Sequence, residues 1–360
     1  MTKRVKFSRI YATLRTTAMF STKIVFPTKK VTMFKRTATA LLSLIAAALV
    51  LSACGSSSGG GKNLALVAYS TPKGAYEKLI PAFEATPAGK GVSFSQSYGG
   101  SGEQSRAVAN GQHADVVNFS LEPDVERLVK AGQVSPTWNQ NATHGFVTNS
   151  VVVIMVRKGN PKHITTWSDL VKPGVQVVTP NPFTSGGARW NIMAGYGAQL
   201  KEGKSATEAQ AYLKSLFHNV VSQDSSARNS LQTFTAGRGD ALLGYENEAI
   251  AAKKKGEEVE YVIPKDTILI QAPVAVVGTS KPAQEFVKYL LSPAGQAIWA
   301  ASGYRPVISG VPGASTFPTP SGLFTIDSVG GWKNVTKQFF DPETGIVTKI
   351  EQSLGVSTSK

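Results

Sequence analysis

The chain is 360 residues long, with 38 Lys and Arg against 23 Asp and Glu, one Cys and four His. A domain takes roughly 100–200 residues, so the length suits two globular units. Hydrophobic content of 42% and charged content of 17% exclude a disordered or collagen-like chain, and one Cys excludes a disulfide framework or a Cys-rich metal knuckle.

The formal charge of +15 points to nucleic acid only until it is located. Ten of the basic residues, and no acid, lie in residues 1–54; the remainder carries 28 basic and 23 acidic side chains. No basic stripe with interleaved aromatics remains, so no nucleic-acid partner is expected. Met33-Phe34-Lys35-Arg36 opens a basic segment. The apolar run Ala38 to Leu51 that follows is shorter than the roughly 20 residues that cross a bilayer. It ends in Leu51-Ser52-Ala53-Cys54, whose small residues mark a secretory signal. The tetrapeptide resembles the bacterial lipobox, in which the Cys becomes the lipidated first residue of the mature chain. The alternative is an ordinary signal with a chance Cys. A leader over residues 1–54 and a flexible Gly/Ser tether over 55–62 are therefore expected, with membrane anchoring through lipid on Cys54. The location is then extracytoplasmic, on the periplasmic or cell-wall side. Residues 1–32 precede an already complete leader, which makes Met33, and after it Met19, the candidate start.

Beyond the tether, strand and helix patterns alternate. Leu64 to Ala68 reads as a buried strand. Ala75 to Phe83 reads as a helix with Tyr76, Leu79, Ile80 and Phe83 on one face. A strand over 91–96, a helix over 103–110 closed by Gly111, and short strands at 114–117, 150–156 and 175–178 follow. Helices are expected over 188–200 and 232–236, a strand at 241–243, a long strand over 267–277 and one helix over 283–301. Such alternation predicts an α/β fold with parallel sheets, whose ligands sit beyond the strand C-termini.

Three strand-to-helix joins are made of small residues: Ser97-Tyr98-Gly99-Gly100-Ser101-Gly102, Thr179 through Ser185-Gly186-Gly187, and Ser222 through Ser226-Ala227-Arg228. A helix start leaves N–H groups unpaired and carries about half a positive charge. Small residues let an anion approach that backbone, and Ser hydroxyls add donors, so each join is a candidate oxyanion site. A single such join is explained by capping alone; three in one chain favour a ligand. Competing motifs fail on spacing. No Gly-Lys-Ser/Thr ends the first join, so it is no P-loop. Gly-x-Ser-x-Gly occurs only in the tether, with no strand before it. His113, His144, His163 and His218 lack an i, i+4 His partner, and no metal or other cofactor is expected.

From about residue 63 to 332 the chain resembles bacterial sulfate-binding proteins, the capture component of sulfate/thiosulfate ABC importers. The resemblance is carried by Ser97 to Gln104, Val156 to Lys162, Thr179-Pro180-Asn181-Pro182 with Ser185-Gly186-Gly187-Ala188-Arg189-Trp190-Asn191, Ser226-Ala227-Arg228, Glu246-Asn247-Glu248 and Tyr289 to Pro293. It implies a two-lobed, type II periplasmic-binding-protein-like fold with the ligand cleft between lobes. Lobe 1 is placed at 63–150 plus 270–360 and lobe 2 at 151–269. The implied ligand residues are Ser70 (or its neighbour Thr71), Ser101, Ser185, Gly186, Gly187, Ala227 through its N–H, and Tyr245. Arg189 and Arg228 are expected to support the loops. Two positions depart from the family: Ser70 replaces Asp, and Tyr245 replaces a donor-only Trp with a phenol that can also accept.

These readings agree physically. Burying a bare dianion costs on the order of tens of kcal/mol, while a charge-assisted hydrogen bond returns roughly 1.5–3 kcal/mol, so several convergent donors are needed. Donors without an acceptor also favour sulfate over phosphate, which keeps a proton at neutral pH. The expected protein is a monomeric, non-enzymatic binder that delivers sulfate, or thiosulfate, to an ABC permease and its ATPase. Binding of thiosulfate, molybdate or phosphate is the alternative within that class. A hydrolase of sulfate or phosphate esters is the alternative outside it, and it lacks a nucleophile–base pair.

Overall fold

The computed structural model describes residues 62–356 and 358, so the leader, Cys54 and the tether up to residue 61 lie outside the described residues. In chain order the elements are β1 (Lys62–Tyr69), α1 (Lys73–Glu84), β2 (Val92–Gly99), α2 (Ser101–Ala109), β3 (Val116–Asn118), α3 (Glu122–Lys130) and β4 (Phe146–Arg157). Then come β5 (Val177–Pro180), α4 (Gly186–Lys201), α5 (Ala206–His218), β6 (Val220–Asp224), α6 (Ala227–Thr235), β7 (Ala241–Tyr245), α7 (Glu246–Lys254) and β8 (Val259–Val262). The last are β9 (Leu269–Val276), α8 (Lys281–Leu290), α9 (Pro293–Ala301), α10 (Gly331–Phe340) and α11 (Ile346–Ser353).

The expected elements are present, with three corrections. The helix expected over 283–301 is two helices. Ser292 accepts from the Gly295 N–H and Pro293 occupies the first helical position, so the Ser-Pro pair ends α8 and starts α9. The strands are also not all parallel: β1 pairs parallel with β2 and β3, and β5 with β6 and β7, but β9 is antiparallel to β3 and β4, and β4 to β7 and β8. The tether gives way to strand one residue early, since β1 begins at Lys62.

The strand order is β2-β1-β3-β9-β4-β7-β5-β6, with β8 beside β4. At the middle of this order β4 and β9 run side by side, Ser150 facing Ile270. Each strand contributes to three cores, and the two largest meet here. Val147 and Val274 pack with Leu66, Tyr76, Phe83, Phe286 and Trp299 under α1, α8 and α9. Val152, Ile154, Val156 and Ile270 pack with Trp190, Leu213 and Phe339 under α4, α5 and α10. The C-terminal helices pack on the second core through Val335, Phe340, Val347 and Ile350, and that core also takes in Tyr69 and Leu121 from residues 63–150.

Helix α4 is buried on every side from Gly186 to Gln199, as expected of a helix threaded through a core. Its start, with those of α2 and α6, lies at the C-terminal end of a parallel strand. The two halves of the strand order thus aim three helix N-termini at one place.

Candidate oxyanion-binding site

The loop after β5 builds the centre of the site. Asn181 accepts from the N–H groups of Thr184, Ser185 and Phe183, the last through its side chain. This folds Thr179 to Ser185 into a tight turn that delivers Gly186 to the first turn of α4. Ser185 precedes that helix yet caps none of its N–H groups, so its buried hydroxyl is left for another partner. Gly187 has ordinary helical geometry. A methyl group there would sit 3.4 Å from Ser185 Oγ, 3.6 Å from Ala227 Cβ and 3.6 Å from a ring carbon of Tyr245. Four of the sequence-predicted residues, from three separate loops, therefore come together within van der Waals reach of one methyl-sized position.

The helix starts fit the same purpose. The first-turn N–H groups of Gly186, Gly187 and Ala227 have no acceptor within their own helices. Ser226 caps α6 by accepting from the Asn229 N–H at 3.3 Å, which leaves the start of that helix facing the site. Ser70, just past β1, accepts the Arg228 N–H on its hydroxyl at 3.3 Å and Arg228 Nε on its carbonyl at 3.1 Å. Arg228 thus ties the loop after β1 to the start of α6. Arg189 donates from Nε to the Pro182 carbonyl at 2.8 Å and stacks 4.8 Å from the Phe340 ring. Burial lowers its guanidinium to about 10, still protonated at neutral pH. Both arginines bond loop carbonyls.

Ser101 behaves differently from the expectation. Its hydroxyl, 1% exposed, donates to Asp124 Oδ2 at 2.6 Å and accepts from the Ser120 N–H at 2.9 Å. The hydroxyl proton expected to face an anion is therefore already held by a carboxylate, and Ser101 can reach a ligand only through its backbone N–H at the start of α2.

Three residues of the site escape a reading of spacing alone. Asp124 lies at the start of α3, buried and paired with Arg127 at 2.9 Å as well as with Ser101. Ser120, after β3, is fully buried: its carbonyl accepts from Trp190 Nε1 at 2.8 Å and its Oγ lies 2.6 Å from the Tyr245 hydroxyl. Glu248, in the first turn of α7, is 6% exposed and accepts from the Tyr245 N–H at 3.4 Å. Burial pushes its carboxyl up to about 7, which weakens its opposition to a nearby anion. The Glu-Asn-Glu run signalled Glu248; nothing local signalled Ser120, which reaches the site only through the fold. Asp224 is occupied elsewhere, accepting from Ser230 and Thr233 hydroxyls. Among the described residues no group of His, Cys, Asp and Glu could hold a metal ion.

The loops also meet each other. A Cβ on Gly100 would fall 2.6 Å from the Thr184 carbonyl oxygen and 2.7 Å from that of Ser225. The Glu103 N–H donates to the Thr184 carbonyl at 3.2 Å, and Arg106 to the Phe183 carbonyl at 3.2 Å. The start of α2 is thereby closed against the loops after β5 and β6.

Residues 64–305 match the family model of bacterial extracellular solute-binding proteins. A sulfate-binding protein of Synechococcus elongatus is 42% identical over 330 residues, covering 86% of this chain and 94% of its own. A thiosulfate-binding protein of Pseudomonas aeruginosa is 33% identical, covering 83% and 94%. Among solved structures, the sulfate-binding protein SubI from Mycobacterium tuberculosis superposes with a TM-score of 0.75 at 43% identity, covering 78% of this chain and all of the other. The fold is the mixed α/β fold of periplasmic binding proteins, and no enzymatic activity goes with that family. The chain belongs to the sulfate-binding protein family, the substrate-binding components of ABC importers.

Proposed function

We propose that this protein captures sulfate between two lobes and delivers it to an ABC permease driven by an ATPase. The observation that carries this reading is the space bounded by Ser185, Gly187, Ala227 and Tyr245, onto which the starts of α4 and α6 open. Backbone N–H groups would supply most of the donors there, with Ser185 Oγ and the α2 start through the Ser101 N–H. Ser70 and Thr71 contribute through the loop that Arg228 holds. Each helix start adds about 0.3–2 kcal/mol for an anion, and each charge-assisted bond roughly 1.5–3 kcal/mol. That is enough to offset the dehydration of a dianion only when several act together.

The lobes of this reading are the two largest cores joined through β4 and β9, with the hinge at Ser150 and Ile270. The helices α10 and α11 travel with the second lobe. Similarity to a thiosulfate-binding protein makes thiosulfate the second candidate. Calorimetric titration with sulfate, thiosulfate, molybdate and phosphate tests the assignment. Tight sulfate binding with weak phosphate binding is the expected result, and a preference for molybdate or phosphate would replace it. Anchoring through Cys54 belongs to the same proposal. In cell fractionation, Cys54→Ser is expected to leave the membrane or to persist as unprocessed precursor.

A further inference from the structure

The Tyr245 hydroxyl and Ser120 Oγ lie 2.6 Å apart, Tyr245 being 1% exposed and Ser120 fully buried. Two hydroxyls carry two protons, and their mutual bond uses one. Among the described residues neither oxygen has another hydrogen-bond partner, so one buried proton is left without an acceptor in the protein. The pair sits over the start of α4. A Cβ on Gly186 would fall 2.9 Å from Ser120 Oγ, and one on Gly187 3.6 Å from the Tyr245 ring. A buried donor without an acceptor is costly unless a ligand takes it, and the space bordered by Gly187 is where an oxyanion would do so.

The two orientations of this pair are not equivalent. When Ser120 donates to Tyr245, the phenol proton points to the anion and every donor is used. When a ligand O–H donates to the phenol instead, Tyr245 must donate to Ser120, and the Ser120 proton is stranded. Ser120 Oγ lies against the α4 start, its N–H and carbonyl are bonded to Ser101 and Trp190, and among the described residues Tyr245 is the partner to which its hydroxyl can donate. We propose that Ser120 is a positioning residue that fixes the Tyr245 hydroxyl as a donor, and thereby sets specificity for fully deprotonated oxyanions over protonated ones. This rests on the oxyanion reading above. It also implies that a tyrosine at this position discriminates as strictly as a donor-only side chain would, because its neighbour removes the acceptor role.

The test is a ratio. Sulfate and hydrogen phosphate, titrated at pH 8.5, are both dianions there and differ in one proton. The parent is expected to favour sulfate strongly, and Ser120→Ala to reduce the sulfate-to-phosphate affinity ratio at least fivefold, since the phenol can then take either role. A structural defect alone would weaken both anions together and leave the ratio intact, which would overturn the proposal. Tyr245→Phe serves where Ser120→Ala does not fold: it is expected to weaken sulfate at least tenfold, and parent-like affinity would show that the pair does not touch the anion. A parent that binds neither anion defeats the oxyanion reading itself, an outcome distinct from a parent that prefers sulfate with an unchanged ratio in Ser120→Ala.

Discussion

Two residues that look alike in the sequence, both small and both at helix starts, do different work. At Gly187 a methyl group would just reach van der Waals contact with Ser185, Ala227 and Tyr245, so its missing side chain leaves the room that a ligand atom would take. Ser101 belongs to a buried hydrogen-bonded chain from Asp124 to Ser120. Gly187→Ala is expected to keep parent stability, or gain the 0.5–1 kcal/mol by which Ala exceeds Gly inside a helix, while losing anion binding. Ser101→Ala is expected to cost about 1–3 kcal/mol of stability by leaving the Ser120 N–H unpaired, read in chemical denaturation, with a smaller effect on affinity. The joins themselves were legible because strand, small residues and helix follow one another locally. The direction of the Ser101 proton was not, since its acceptor lies 23 residues away on another helix.

Among whole elements, legibility followed periodicity. Helix α1 shows its buried face at Ala75, Tyr76, Leu79, Ile80 and Phe83 and was read directly. Helix α11 carries a similar buried face outside the predicted elements, and it brings a carboxyl group into the core. Glu351 is fully buried, with its carboxyl beside the Gln223 side chain. Burial pushes its carboxyl from an ordinary 4.5 up to about 7. Between those values the unfolded chain releases the proton while the folded chain keeps it, so stability falls as pH rises through that window and levels off above it. Glu351→Gln is expected to flatten this fall and to stabilise the protein at pH 8 by on the order of 2 kcal/mol. Glu248, also raised to about 7, leaves part of the slope in place. Thermal denaturation from pH 4.5 to 8 reads both; a variant curve parallel to the parent's would mean that Glu351 is ionised in the fold.

For the molecule as a whole, the antiparallel insertions are the part the sequence did not disclose. Alternating strands and helices announce parallel pairing, but they do not say that β4 and β9 pass side by side through the centre, each carrying residues of the two largest cores. That crossing is what joins the two ends of the strand order, and in the proposed reading it is the hinge between the lobes. Closure should then depend on how near the loops can come. At Gly100 a side chain would meet two backbone carbonyl oxygens at 2.6 and 2.7 Å, which cannot yield as a flexible side chain can. Small-angle scattering is expected to show the parent compacting with sulfate and Gly100→Ala retaining its ligand-free radius of gyration. Equal behaviour of the two would mean that the cleft closes by another path, and no change in either would favour a rigid pocket.

The central claim is positional: one oxyanion lies at the joint of α4, α6 and Tyr245. Selenate carries the same charge and shape as sulfate and an anomalous scatterer in place of sulfur. A crystal grown with selenate and measured at the selenium edge locates the anion without reference to any assumed contact. The account predicts a single strong peak within hydrogen-bond reach of the Gly186, Gly187 and Ala227 N–H groups and Ser185 Oγ. A peak elsewhere on the protein, with that space left empty, would contradict it.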